Sequence, residues 1–171
     1  MRSEWVKGEV LEHILAALTP ENRLVCEVSL ATGLRVGDCL ALRPDSVAKR
    51  RFTIKEEKTG KSRRVYIPAA LADRLLKQSG RFWIFPGRVD PKKHRTRQAV
   101  YKDLRRAAVL FRCSAHVSPH SLRKAFAVEY FHKSGSLDAV RRLLNHSSEA
   151  VTVLYAMADC VAAGRRSRRR K

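Results

Sequence analysis

One stretch of the sequence departs from the helical pattern that dominates the rest of the chain. Between residues 47 and 68 apolar and polar residues alternate, with Phe52 and Ile54 on one arm and Val65 and Ile67 on the other. The charged, glycine-containing sequence KTGK lies between the two arms. This pattern predicts an antiparallel hairpin. The expected fold class is therefore α+β, mainly α with one small antiparallel sheet.

Apolar residues elsewhere recur at helical spacing. This spacing predicts helices over residues 8–18, 20–32, 36–42, 69–78 and 98–111. Gly33 is expected to cap the second helix in the left-handed region, and Pro44 to end the third. The segment 82–85 is expected to form a short buried run, and the segment 88–97 a basic loop.

The size and charge of the chain limit its class. Its 171 residues suit one domain with a proper core. Lysine and arginine number 36 against 16 aspartate and glutamate, which gives a formal net charge of +20. A chain so positive repels itself unless an anion neutralises it, so nucleic acid is the expected partner. No apolar run is long enough to span a bilayer, which argues against a membrane partner.

The cysteines and the two termini bear on the cellular compartment. Cys26, Cys39, Cys113 and Cys160 are scattered through apolar stretches without zinc-site spacing, so they are expected to be small buried side chains in a reducing compartment. The N-terminus lacks the features of a secretion signal, and we expect a cytoplasmic protein, associated with the nucleoid if the source is bacterial. The terminal GRRSRRRK is either a nuclear address in a eukaryote or a disordered phosphate-binding tail.

Six polar residues form the candidate site. They are Arg35, Lys58, His120, Arg123, His146 and Tyr155. His120 and Arg123 stand three apart on a predicted helix and therefore project from one face. A lone histidine or tyrosine in an amphipathic helix is ordinarily a packed core residue. The case for function therefore rests on the whole set.

This set suits attack on a phosphodiester without a metal. Two guanidinium groups can grip the non-bridging oxygens and stabilise the charge of the transition state. A tyrosine can act as the nucleophile when a neighbouring base takes its proton and nearby cations lower its pKa. A lysine can protonate the leaving oxygen.

Five segments together resemble the catalytic domain of the tyrosine recombinases, also called the phage integrase family. They are ATGLRVGDCLAL at 31–42, KTGKSRRVYIP at 58–68, PHSLRKAFAVEYF at 119–131, LLNHSS at 143–148, and Tyr155 nine residues after His146. They stand in the order of the family and near its spacings. The resemblance spans residues 31–155 and implies the tyrosine recombinase catalytic-domain fold, which we expect over residues 1–163. The basic composition of residues 164–171 predicts a disordered tail.

The resemblance also implies roles around the scissile phosphate. Arg35 and Arg123 would grip the phosphate, and Asp38 would support the first of them rather than take part in the chemistry. His120 would accept a proton. His146 would donate a hydrogen bond to the phosphate.

The resemblance further implies covalent chemistry without a metal or nucleotide cofactor. Tyr155 would attack the phosphorus, forming a 3′-phosphotyrosine link and freeing a 5′-hydroxyl. Lys58 would be the general acid, and Lys61 is an alternative because the turn could shift. The implied function is site-specific DNA recombination. Two alternatives stay open: a type IB topoisomerase-like relaxing enzyme, and a catalytically silent DNA-binding accessory protein.

Contacts with double-stranded DNA and with other copies of the chain are expected to involve residues outside the six-residue candidate site. Nine further basic residues are candidates for contacts with backbone phosphates: Lys49, Arg50, Arg51, Arg63, Arg64, Lys92, Lys93, Arg95 and Arg97. Roughly half of them are expected simply to face solvent. Such contacts would make affinity fall steeply with salt. The C-terminal segment, with a helix expected at 156–163, would mediate self-association on DNA, as it often does in the family. Members usually also carry a helical DNA-clamping domain ahead of the first motif.

Overall fold

The structure, a computed structural model, describes residues 8–144. Their elements in chain order are α1 (Gly8–Ala16), α2 (Pro20–Thr32), α3 (Val36–Leu40), α4 (Pro44–Ala48), β1 (Arg51–Lys55), β2 (Ser62–Tyr66), α5 (Ala69–Gln78), α6 (Arg97–Leu110), α7 (Pro119–Ser134) and α8 (Leu137–Leu143). The two strands form one antiparallel sheet. The predicted class, mainly α with a small antiparallel sheet, is confirmed.

Helix α2 begins and ends at the predicted residues. Pro20 stands at its first position, where the missing N–H has no helical partner to lose. Gly33 follows the last turn at φ 67°, and its N–H donates to the Ser29 carbonyl at 2.8 Å. A Cβ at Gly33 would overlap the ring of Phe126. Glycine is therefore required here both by the backbone angle and by the space available.

The start of α2 is held by a residue that is distant in the sequence. Asp103 on α6 accepts hydrogen bonds from the Thr19 N–H at 2.9 Å and from the Asn22 amide at 2.8 Å. Arg106 donates to the other oxygen of the same carboxylate at 2.6 Å. Burial acts to raise the pKa of Asp103, but these donors together lower it below the ordinary value. Asp103 thus stabilises the contact between α2 and α6.

Three local predictions differ from the structure. Pro44 does not merely end a helix: it begins α4, since proline suits a first helical turn, and α3 ends at Leu40 rather than residue 42. In the segment 82–85, which was expected to be buried, Phe82 is 39% exposed. Helices α1, α5 and α6 end within two residues of their predicted bounds.

The hairpin pairs Phe52 with Val65 and Ile54 with Arg63. Val65 and Ile67 are buried on its inner face. They join a core to which α1, α2, α3, α5 and α6 contribute. Cys26 and Cys39 are buried in that core, and burial raises the pKa of both thiols. Cys113 is half-buried, and Cys160 lies outside the described residues.

The chain divides into two compact units at Phe126, within α7. The first unit contains α1 to α6 and the first half of α7. In the second unit, residues 127–144 are described, and Ser136 caps α8 by accepting a hydrogen bond from the Ala139 N–H at 3.2 Å. The expected domain at 1–163 and tail at 164–171 remain predictions. None of the helices within 8–144 is long and apolar enough to cross a membrane.

Candidate active site

A cleft of about 410 Å³ in the first unit gathers four of the six predicted catalytic residues. Its lining includes Arg35, Lys58, His120 and Arg123. They come from three separate parts of the chain: the start of α3, the hairpin turn, and the first turns of α7. The two remaining candidates, His146 and Tyr155, lie outside the described residues.

Arg35 is oriented by a carboxylate that the sequence analysis did not identify. Its side chain is 10% exposed, and Nη1 donates to Oε2 of Glu56 at 2.8 Å. Glu56, only 1% exposed, also accepts a hydrogen bond from the Thr59 hydroxyl at 2.8 Å. The alternation of apolar and polar residues along the first strand does indicate that Glu56 faces inward. Residue 56 continues the series of Phe52 and Ile54, and therefore falls on the same face.

Arg123 is held by the end of α2. It is 3% exposed, and Nη1 donates to the Gly33 carbonyl at 2.7 Å. A carbonyl next to a helix C-terminus carries partial negative charge, which favours a cation there. His120, one turn earlier on α7, is exposed at the mouth of the cleft. The left-handed turn at Gly33 thus supplies a contact for the second predicted arginine.

Arg63 does not lie where a DNA contact requires it. It was expected to face backbone phosphates, but it is 7% exposed and donates to the carbonyls of Thr32 and Gly33. Its position, two residues before buried Val65, places it on the inner face of the hairpin, whereas Arg64 points outward. Burial lowers the pKa of Arg63, while Glu56, 3.8 Å away, opposes that shift. The residue is a structural support of the site.

Asp38 supports the hairpin turn. Its Oδ1 accepts a hydrogen bond from the Glu57 backbone N–H at 3.0 Å, directly before Lys58. Burial is the main cause that raises the pKa of Asp38 above its ordinary value. Asp38 and Glu57 both line the cleft, so the wall that carries the cations also carries two carboxylates.

The two lysines proposed as general acid differ in placement. Both are exposed in the turn between β1 and β2. Lys58 lines the cleft, and Lys61 is not among the residues described as lining it. The backbone of Lys61 is used to close the turn, since its carbonyl accepts from the Glu56 N–H at 3.0 Å.

The remaining residues expected to bind DNA are mostly on the surface. Seven have exposed side chains: Lys49, Arg50, Arg51, Arg64, Lys92, Lys93 and Arg97. Arg97 also lines the cleft, next to the start of α3. Arg95 is more enclosed, with a side chain 20% exposed and Nη2 3.9 Å from Glu21. Within 8–144, no group of three or more histidine, cysteine, aspartate or glutamate residues could hold a metal ion.

A hairpin on a helical core, with arginine, lysine and histidine around one cleft, is the arrangement expected of a tyrosine recombinase catalytic domain. The family model described as the phage integrase family matches residues 4–160. The chain belongs to the phage integrase family.

Individual relatives and solved structures agree with this assignment. Tyrosine recombinase XerD of Bradyrhizobium diazoefficiens is 37% identical over 153 residues, which cover 78% of this chain and 48% of that protein. The catalytic domain of bacteriophage HP1 integrase is similar with a TM-score of 0.66 and 23% identity, over 91% of this chain and 88% of that one. A lambda integrase dimer bound to a COC′ core site gives a TM-score of 0.72 and 20% identity, over 91% and 60%.

The matches show the fold, and they cover only part of the length of the curated relatives. The structural matches show that the fold is that of the tyrosine recombinase catalytic domain. The chain spans about half the length of the curated relatives that it matches.

Proposed function

We propose that this chain is the catalytic part of a site-specific DNA recombinase that cuts and rejoins strands through a 3′-phosphotyrosine intermediate. The observation that carries the proposal is the single cleft lined by Arg35, Lys58, His120 and Arg123. These residues are separated by up to 88 positions in the sequence, yet they border one space of about 410 Å³.

The two arginines suit a phosphate clamp because the protein orients both of them. Arg35 is held by Glu56 and Arg123 by the Gly33 carbonyl, each through one Nη1 atom. Donors fixed in advance stabilise developing charge without reorganisation during the reaction. In the proposed step they neutralise the non-bridging oxygens of the phosphate under attack.

The proposed step forms one bond to phosphorus and breaks another. The phenolic oxygen of Tyr155 forms a bond to phosphorus while the bond from phosphorus to the 5′ oxygen breaks. His120 takes the phenolic proton, and Lys58 gives a proton to the departing 5′ oxygen. His146 donates a hydrogen bond to the phosphate. Rejoining reverses these transfers when a 5′-hydroxyl attacks the phosphotyrosine.

Double-stranded DNA and further copies of this chain are the proposed partners. The net charge of +20 and the exposed basic residues support DNA binding. The similar lambda integrase structure is a dimer on a DNA core site, which supports self-association on DNA. We further propose that the C-terminal segment mediates this self-association. The same proposal places the protein in the cytoplasm, at the nucleoid if the source is bacterial.

Covalent trapping tests the proposal. A duplex that loses a short strand fragment after cleavage should leave a protein–DNA adduct with the wild-type chain and none with Tyr155→Phe. Tyr66→Phe is the matched control, since Tyr66 is 52% exposed on the hairpin and lies outside the cleft, so its adduct should equal that of the wild type.

The alternatives give different outcomes. Adduct from Tyr155→Phe at the wild-type level would remove this tyrosine as the nucleophile. Salt-sensitive binding without adduct on any duplex would favour the accessory protein. Supercoil relaxation by monomers, without strand transfer between duplexes, would favour the topoisomerase-like enzyme.

A further inference from the structure

Glu56 is the most enclosed charged residue beside the cleft, at 1% exposure. Its described partners come from two directions. Arg35 donates to its Oε2 from the start of α3, and the Thr59 hydroxyl donates to the same oxygen from the hairpin turn, both at 2.8 Å. One carboxylate oxygen therefore joins a predicted clamp residue to the turn that carries the predicted general acid.

The backbone of the turn also closes on Glu56. The Gly60 N–H donates to the Glu56 carbonyl at 2.9 Å, and the Glu56 N–H donates to the Lys61 carbonyl at 3.0 Å. The Thr59 hydroxyl in turn accepts from the Lys61 N–H at 3.3 Å. Lys58 lies inside this closed loop, so the position of its Cα depends on the contacts that Glu56 makes.

We propose that Glu56 is a positioning residue that fixes the Lys58 turn and Arg35 relative to each other. The inference rests on the proposed recombinase function and extends it to a residue that touches no part of the substrate. If the turn moves away from Glu56, Lys58 loses its reach to the leaving oxygen. If Glu56 loses its charge, the contact that helps to orient Arg35 toward the phosphate weakens.

Two substitutions separate these two effects. Thr59→Val removes the hydroxyl and keeps the branched shape, so it releases the turn and leaves the contact between Glu56 and Arg35. Glu56→Gln keeps the shape and removes the charge, so it weakens both contacts. Thr53→Val is the matched control, since Thr53 is exposed on β1 and lies outside the cleft.

Each variant is tested for single-turnover cleavage of two duplexes, one with the normal oxygen and one with sulfur at the 5′ bridging position. A thiol has a pKa of about 8.5, far below that of an alcohol, so the sulfur departs without a general acid. Lys58→Ala sets the reference, with a loss of about 10²–10⁴-fold expected on the oxygen duplex only. Thermal unfolding of each variant reports whether it folds.

Thr59→Val should slow cleavage of the oxygen duplex by about tenfold or more, as expected for a displaced catalytic group, and should match the wild type on the sulfur duplex. Glu56→Gln should be slow on both duplexes, because the orientation of Arg35 matters for either leaving group. Thr53→Val should match the wild type on both.

Wild-type rates for either Thr59→Val or Glu56→Gln on the oxygen duplex would overturn the positioning role. Equal slowing of Thr59→Val on both duplexes would also overturn it, because the defect would not pass through proton donation. If Glu56→Gln fails to fold, Thr59→Val decides alone. A wild-type chain that forms no adduct with either duplex refutes the proposed function instead, so the two failures are distinguishable.

Discussion

Gly33→Ala should destabilise the protein through two separate terms. The first is the left-handed backbone at φ 67°, which costs an ordinary residue about 1–2 kcal/mol. The second is the overlap of the new Cβ with the ring of Phe126, and forcing an extra methyl group into a filled space costs about 1–3 kcal/mol. The sum is about 2–5 kcal/mol of unfolding free energy, a large part of the stability of a small domain.

Gly60→Ala is the matched control for the backbone term. Gly60 has a similar angle, φ 65°, but a Cβ there would meet only the end of the Lys55 side chain at 3.9 Å. Urea unfolding should therefore show a loss of about 1–2 kcal/mol for Gly60→Ala. Gly33→Ala should lose a further 1–3 kcal/mol, roughly the cost of overpacking.

The Gly33 substitution also bears on Arg123. Phe126 lies three residues after Arg123, one turn further along α7, so a ring displaced by the new Cβ disturbs the helix that carries this proposed clamp residue. Equal destabilisation by the two substitutions would refute the argument, because it would mean that the Phe126 ring does not fill the space above Gly33.

Three further predictions follow from individual contacts. Arg63→Met should cost about 3–5 kcal/mol in urea unfolding, because it leaves buried Glu56 and two carbonyls with less positive charge, whereas exposed Arg64→Met should stay within about 0.5 kcal/mol. Arg35→Ala or Arg123→Ala should slow adduct formation by about 10²–10³-fold, the typical loss for one charge-stabilising donor, and rates equal to the wild type would refute the clamp. Folding lowers the pKa of Asp103, so the stability that its carboxylate contributes is present above the ordinary pKa of 3.8 and is lost as pH falls through the lower folded value. Asp103→Asn should therefore have a lower unfolding free energy than the wild type at pH 7. A difference in unfolding free energy that does not narrow below pH 3.8 would contradict this.

The sequence predicted best what depends on neighbouring residues. Helix α2 and helix α5 begin and end at the predicted residues, because apolar spacing, proline and glycine act over a few positions. The hairpin followed from alternation for the same reason. The α4 helix was missed since proline can both end one helix and begin the next, and local sequence does not choose between the two.

Contacts between distant residues account for what the sequence could not predict. Alternation along the hairpin indicates the inner face for Glu56 and Arg63. Their partners, Arg35 and the carbonyls at the end of α2, are distant in the sequence and are seen only in the fold. The hydrogen bond from Thr19 to Asp103 spans 84 positions. Such partners follow from the packed fold, whereas Arg35, Lys58, His120 and Arg123, which line one cleft, could be proposed from short motifs.

The buried supports explain how several arginines can lie close together at the cleft and beside it. Arg35, Arg63 and Arg123 would repel one another strongly in a poorly solvated space. The protein offsets this repulsion with the Glu56 carboxylate and with the carbonyls at the end of α2, each of which accepts from a guanidinium group. These contacts hold the guanidinium groups of Arg35 and Arg123 in place at the cleft. In the proposed reaction, the phosphate would meet guanidinium groups that are already oriented, and donors fixed in advance are those that stabilise a transition state most effectively.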